Sequence, residues 1–342
     1  MGSDDLAGVD FPAGPDGRRS TSAVGRAVVA DALRAADPAL AQRAEREANW
    51  RTGYLTHFRA LVEAGLATPA AARAIAAAGL DSAYRQLRAV GADGTESGLD
   101  ALLTAPALRT LSWVPVTGTA AAAVELAVPY RGTVLRGDAL GRQLAAWVSA
   151  GTVEPSFAAA VAEVGRHPEW LRLEGRTVAV LGAGAEMGPA GALLGWGARV
   201  LAVDLPRAAI WDRLLTAARE GAGTLLVPVG PEVGSGSSGD PGGLGGPSSS
   251  AGSGGSGGAG GAGAGEGAAL AGRAGADLVR DVASIADGLA GAGGGSLVLA
   301  SYAYADGAGH VKVAAAVDAL TRRVQAARPD AALAFLATPT DV

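Results

Sequence analysis

Ser301, Tyr302, Ala303, Tyr304, Ala305, Asp306, Gly307, Ala308, Gly309, His310, Val311 and Lys312 run consecutively. They hold two of the chain's five tyrosines, one of its three histidines and its one lysine. Phenol, imidazole and ammonium groups exchange protons with a carbonyl or an alcohol, and a nearby ammonium lowers a phenol pKa. Tyr302, Tyr304, His310 and Lys312 are therefore the candidate catalytic residues. Tyr304 or His310 would act as acid or base, and Lys312 would orient a substrate or a ribose. The competing reading is a polar loop in which His310 lies near a helix start and Lys312 is solvated.

A second constellation precedes it. Val178–Leu181 reads as a strand and leads into Gly182, Ala183, Gly184, Ala185, Glu186, Met187, Gly188 and Pro189. Strand, glycine turn and helix in that order suit a phosphate. The first glycine permits the tight turn, the second lets backbone approach the ligand, and the third allows close packing. Free amides and the helix dipole favour negative charge, and Pro189 suits a first helical turn. Asp204 ends the next strand, 22 residues after Gly182, where a carboxylate accepts from ribose hydroxyls and repels a 2′-phosphate. NAD is expected over NADP, with Arg207 softening that preference. Gly182, Ala183, Gly184, Met187, Gly188, Asp204 and Arg207 are the expected cofactor residues.

On these residues the region of roughly 175–300 resembles NAD(P)-binding Rossmann oxidoreductases, including the cofactor domains of alanine-dehydrogenase-like and short-chain dehydrogenase/reductase enzymes. The resemblance implies a doubly wound parallel sheet and hydride transfer with a small-molecule carbonyl or alcohol. The spacing departs from the commonest fingerprint: Met187 stands where its third glycine belongs, and Glu186 places a carboxylate in the turn. The Tyr-x-x-x-Lys pair of short-chain dehydrogenases is missing, because Asp306 follows Tyr302 by four residues and Ala308 follows Tyr304. Two other functions share these features: a non-catalytic nucleotide-binding or scaffold protein, and an S-adenosylmethionine-dependent methyltransferase.

The elements that position these groups follow from hydrophobic period. Strands are expected at 177–181, 199–203, 224–229, 296–300 and 332–337, separated by helices at about 188–196, 207–220, 276–290 and 311–327. That alternation predicts an α/β domain over 171–342 with a parallel sheet of about five strands. Residues 230–267 are almost wholly Gly, Ser, Ala and Pro, the composition of a disordered insert. Residues 1–20 read as a disordered leader. Residues 21–170 read as a mainly helical domain over the cleft, with helix starts at Asp37-Pro38 and Thr68-Pro69 and a helix end near Gly79. Thr117-Gly118-Thr119, Tyr130 with Arg131, and Thr338–Asp341 are weaker site candidates, whereas Tyr54 and His57 read as ordinary packing or surface residues.

Bulk properties exclude several classes. The chain of 342 residues carries a net charge of −5 and shows no basic stripe of the kind that neutralises nucleic-acid phosphates. It has no cysteine, so disulfides, thiolate nucleophiles and Cys-ligated zinc are excluded. The three histidines are scattered, so no metal is expected. No apolar run is long enough for a bilayer span, and the acidic start suits neither a secretion signal nor a transit peptide. The expected protein is cytoplasmic, with a small-molecule substrate as partner, and these features are compatible with a homo-oligomer.

Overall fold

The computed structural model describes residues 8–231, 261–292 and 295–335. Among them the chain runs β1 (Gly8–Asp10), α1 (Thr21–Arg34), α2 (Pro38–Glu45), α3 (Trp50–Gly65), α4 (Pro69–Gln86), β2 (Arg88–Val90), β3 (Glu96–Gly98), α5 (Ala101–Thr104), β4 (Ser112–Thr117), β5 (Val128–Tyr130), β6 (Thr133–Leu135), α6 (Gly137–Ser149) and α7 (Pro155–Arg166). It continues β7 (Thr177–Leu181), α8 (Ala190–Gly195), β8 (Arg199–Val203), α9 (Ala208–Glu220), β9 (Thr224–Val229), α10 (Gly261–Ala271), α11 (Val282–Gly291), β10 (Leu297–Ser301), α12 (Ala308–Ala327) and β11 (Ala332–Phe335).

The central sheet has six strands in the order β11-β10-β7-β8-β9-β4. The first five are mutually parallel, and β4 is antiparallel to β9. The fold is therefore α/β with a mixed, mostly parallel sheet, one strand more than expected. Alternation along each strand divides the core between two faces. Val178, Val180, Val200, Ala202, Leu225 and Val227 pack with Trp211, Leu214, Leu215 and Ala218 of α9. Ala179, Leu181, Leu201, Val203, Leu297 and Leu299 pack with α11 and α12. Burial on both faces explains why these strands read as continuous apolar runs.

The N-terminal helices begin as their caps dictate. Asp37 accepts from the amide of Ala39 (2.7 Å) and Thr68 from that of Ala71 (3.0 Å). Helix α4 does not end at Gly79. It continues to Gln86, and Gly79 lies inside it, where a Cβ would come within 3.3 Å of Ala32 on α1. The small residue lets the two helices approach, and that packing outweighs its low helix propensity.

Four further expectations are corrected. Residues 8–20 are ordered: β1 pairs with β2, and Val9 and Phe11 are buried; residues 1–7 lie outside the described residues. Most of the insert also lies outside them, but Gly261–Ala271, partly inside the range expected to be disordered, is helix α10. Residues 21–170 share their core with the sheet, since Val24, Tyr84, Leu87, Leu99 and Leu111 belong to the cluster that holds Leu181 and Leu299. The helix expected over 276–290 begins only at Val282, and residues 276–281 form a turn clamped by Arg109, whose guanidinium pairs with Asp281 at 2.8 Å.

Trp211 is wholly buried, and its indole N–H donates to the Leu205 carbonyl at 3.0 Å. Trp211→Ala should lower unfolding free energy by about 3–5 kcal/mol, the usual range for a buried aromatic truncated in a core, read as a reduced denaturation midpoint with an unchanged slope.

Candidate functional site

Strands β7 and β10 are neighbours at the centre of the sheet, and the chain leaves them toward opposite edges. Ligands of open α/β sheets bind outside the carboxyl ends at such a reversal. A cleft of about 880 Å³ opens there. Its lining includes Gly182, Gly184, Glu186, Met187, Asp204, Asp277, Tyr302, Tyr304 and His310. The two constellations singled out in the sequence thus meet in one cavity.

The glycine turn is shaped by contacts with its own protein. Gly182 has φ +78, and a Cβ on it would lie 2.7 Å from the backbone of Ala303. A Cβ on Gly184 would lie 2.4 Å from the Ile210 side chain and 3.2 Å from Asp204. The second glycine therefore makes room for Ile210 and Asp204, not for a ligand alone. Gly188 serves the turn, its amide donating to the Ala185 carbonyl at 2.9 Å. Ala183 is buried, and neither it, Gly188 nor Arg207 lines the cleft.

Asp204 is fixed by two amides. One carboxylate oxygen accepts from Gly184 at 2.7 Å and the other from Leu205 at 2.8 Å. The amides of Gly182 and Ala183 donate to Val203, and that of Ala185 donates to Gly182. Among the described residues, the amides of Glu186 and Met187 remain without such acceptors. Helix α8 begins only at Ala190 and has six residues. Its dipole is accordingly small beside that of a full-length helix. Among the described residues, three carboxylates, Glu186, Asp204 and Asp277, line the cleft, and no arginine or lysine does. Arg213 stands just outside, donating to the Gly184 carbonyl at 3.3 Å.

Of the four candidate catalytic residues, three line the cleft. The rings of Tyr304 and His310 are 5.6 Å apart. The Tyr304 hydroxyl donates to Asp306 at 3.1 Å, and this hydrogen bond, with the Asp306 charge, raises the phenol pKa above the ordinary tyrosine value. Tyr302 is half-buried, and its amide donates to Leu181, extending the contact between β10 and β7. Lys312 is elsewhere. Its ammonium lies 2.6 Å from Asp10 on β1, so an orienting role for it inside the cleft is not what the geometry offers.

No lining residue comes from 8–170, so the N-terminal part does not cover the cleft. Tyr130 packs edge-on against Trp147 under the Arg131 guanidinium, away from the lining. Gly118 packs against Gly221 at the amino ends of the strands, the opposite end of the sheet. His57 stacks on Trp50 and faces Glu47 at 3.4 Å, a packing role as expected. Thr338–Asp341 lies outside the described residues. Sequence reasoning missed Asp277, Ala276 and Leu278, which reach the cleft from the far side of the insert; Asp277 was hidden inside what read as a helix. The chain matches no protein-family model, no curated protein and no solved structure.

Two outcomes follow from this geometry. Gly182→Ala should destabilise the fold by about 1–3 kcal/mol, the cost of a forced backbone outlier, visible as a lower melting temperature. The Tyr304 phenol should titrate above free tyrosine in ultraviolet difference spectra, and Asp306→Asn should bring it back down. The sign is that of a raised pKa: the Asp306 contact is present below the normal phenol pKa and is lost as pH rises through the elevated one.

Proposed function

We propose that the cleft holds an adenine dinucleotide and that the protein is an NAD-linked oxidoreductase acting on a small-molecule carbonyl or alcohol. One observation carries this reading. At the order reversal of the sheet, the Gly182–Gly188 turn, the acid that ends the second parallel strand and the Tyr304–His310 pair share a single cleft. The strand order supports it further: β9-β8-β7-β10-β11 corresponds to 3-2-1-4-5 of the Rossmann arrangement.

The residues fit the nucleoside half of such a cofactor. Leu205, Ile210, Ala276 and Leu278 offer an apolar slot for a base. Asp204 keeps lone pairs for ribose hydroxyls, because a carboxylate can accept about four hydrogen bonds. The phosphate half is supported more sparsely, by the amides of Glu186 and Met187. When bound, the nicotinamide supplies or takes up a hydride. The protein's part is proton transfer and orientation. Histidine is the side chain that most often serves as general acid or base, and His310 lines the cleft, so His310 is assigned the acid/base role. Tyr304 directs its own proton at Asp306 and offers an oxygen lone pair beside His310.

A second reading, an S-adenosylmethionine site, is favoured by one specific observation. Among the described residues, a lining with three carboxylates and no arginine or lysine suits a sulfonium ligand better than a pyrophosphate.

Thermal unfolding with NAD, NADP and S-adenosylmethionine separates the readings. A ligand at about 100 times its dissociation constant stabilises the fold by roughly 2.7 kcal/mol. NAD should raise the melting temperature more than NADP, and Asp204→Asn should narrow that difference. His310→Gln should lower turnover by about 10²-fold or more and leave NAD affinity unchanged. Stabilisation by S-adenosylmethionine with no response to NAD would replace the dinucleotide reading with the second one.

A further inference from the structure

The cleft has two walls that touch the N-terminal strand from behind. One wall is the turn at 276–278, followed immediately by Val279. The other is the start of α12, where His310 and Val313 line the cleft with Lys312 between them in sequence. Strand β1 holds both. The Val9 amide donates to the Val279 carbonyl at 3.0 Å. The next residue, Asp10, pairs with Lys312 at 2.6 Å.

We infer that β1 is a strut that sets the width of the cleft, with Asp10 and Lys312 as positioning residues for His310. The inference rests on reading the cleft as a ligand site. Both attachments are well anchored. Val9 and Phe11, which flank Asp10, are almost fully buried. Gly8 runs so close to Val279 that a Cβ would lie 2.4 Å from its carbonyl oxygen. Val279 is itself fixed by its amide donating to Asp277 at 2.8 Å.

The Asp10 carboxylate is oriented before it meets Lys312. It accepts from the Phe11 amide at 2.7 Å and pairs with Arg19 at 3.3 Å, and Arg19 pairs in turn with Glu96 of β3 at 2.8 Å. The side chains of Asp10 and Lys312 are only 14% and 29% exposed, so the pair is less screened than one on open surface. Adjacent residues of one strand thus grip both lining segments, and an extended backbone has little freedom to stretch between them. Lys312 acts on the site through α12, which explains why the chain's one lysine stands two residues from a cleft histidine while pointing away from the cleft.

The chain has no cysteine, so paired spin labels at Arg280→Cys and Val311→Cys would report the gap between the walls. Lys312→Met should broaden or shift the measured distance and weaken NAD binding roughly tenfold, the scale of coupling carried through packed elements. Lys312→Arg should restore both. Asp10→Asn is the milder variant should Lys312→Met fail to fold, and it should show the same changes. Combining the two should cost no more than either alone. A lower melting temperature with unchanged distance and affinity would reduce the pair to a stabilising contact and overturn the strut. A wider gap in a protein that does not bind NAD even as wild type would keep the strut and reject the dinucleotide.

Discussion

Gly182 and Ala303 lie backbone against backbone where the chain leaves the two central strands. The Tyr302 amide still donates to Leu181, so β7 and β10 stay zipped to their last residues. Beyond that point the loops diverge, one toward α8 and the other toward α12. Two loops rooted side by side and led to opposite faces must leave a gap between them. The cleft is that gap, and its contents follow from it. The glycine turn forms one rim, Tyr302, Tyr304 and His310 form the other, and Asp204 closes the floor from the adjacent strand. A side chain at 182 would force the loops apart at their root, so the site depends on this position before it depends on any ionisable group.

The charge around the gap is less usual than its shape. Asp204 receives two amide hydrogen bonds, and these compensate a carboxylate that, among the described residues, has no arginine or lysine beside it in the lining. The same bonds commit the Gly184 amide, which in an open cradle would face a phosphate. The turn is therefore largely satisfied without a ligand, and a dinucleotide would draw its phosphate contacts from the amides of Glu186 and Met187 and its selectivity from Asp204. For a dinucleotide bound as proposed, this arrangement would give modest intrinsic affinity and selectivity for an unphosphorylated ribose.

Much of the sheet and half of the site were legible in the sequence. Runs such as TVAVL and RVLAV are buried on both faces of the sheet and read as continuous apolar stretches. Asp37, Thr68 and their following prolines marked helix starts because caps act locally. What escaped was non-local. Strand β4 carries Pro115 in its middle and pairs with β9 across more than a hundred residues, so no local signal announces it. Strand β1 has three residues in a Gly/Pro-rich stretch, and its order comes from burying Val9 and Phe11 under distant helices. The partner of Lys312 sits near the other end of the chain, and composition alone placed the lysine inside the cleft. The acid at 277 was masked because its neighbours continue the helical period of α11.

The N-terminal half contributes to the site without entering it. Its attachments converge on the face that carries α11 and α12. Tyr84 donates to Asp318 at 2.6 Å, Trp113 donates to the Gly288 carbonyl at 3.1 Å, and Arg323 reaches the Leu102 carbonyl at 3.2 Å. Asp10 adds the contact nearest the cleft. Helix α12 is thus held along its length from outside the sheet, while its first turn presents His310 to the cavity. A bond network of this kind resists displacement of the helix as a rigid body, because any shift must break several contacts on separate elements at once. Among the described residues, the outer part of the glycine-turn rim is braced less: α8 is short, and Met187 is largely exposed. If ligand binding moves one rim, the physical balance puts the motion on the outer part of the glycine turn and leaves the histidine rim fixed.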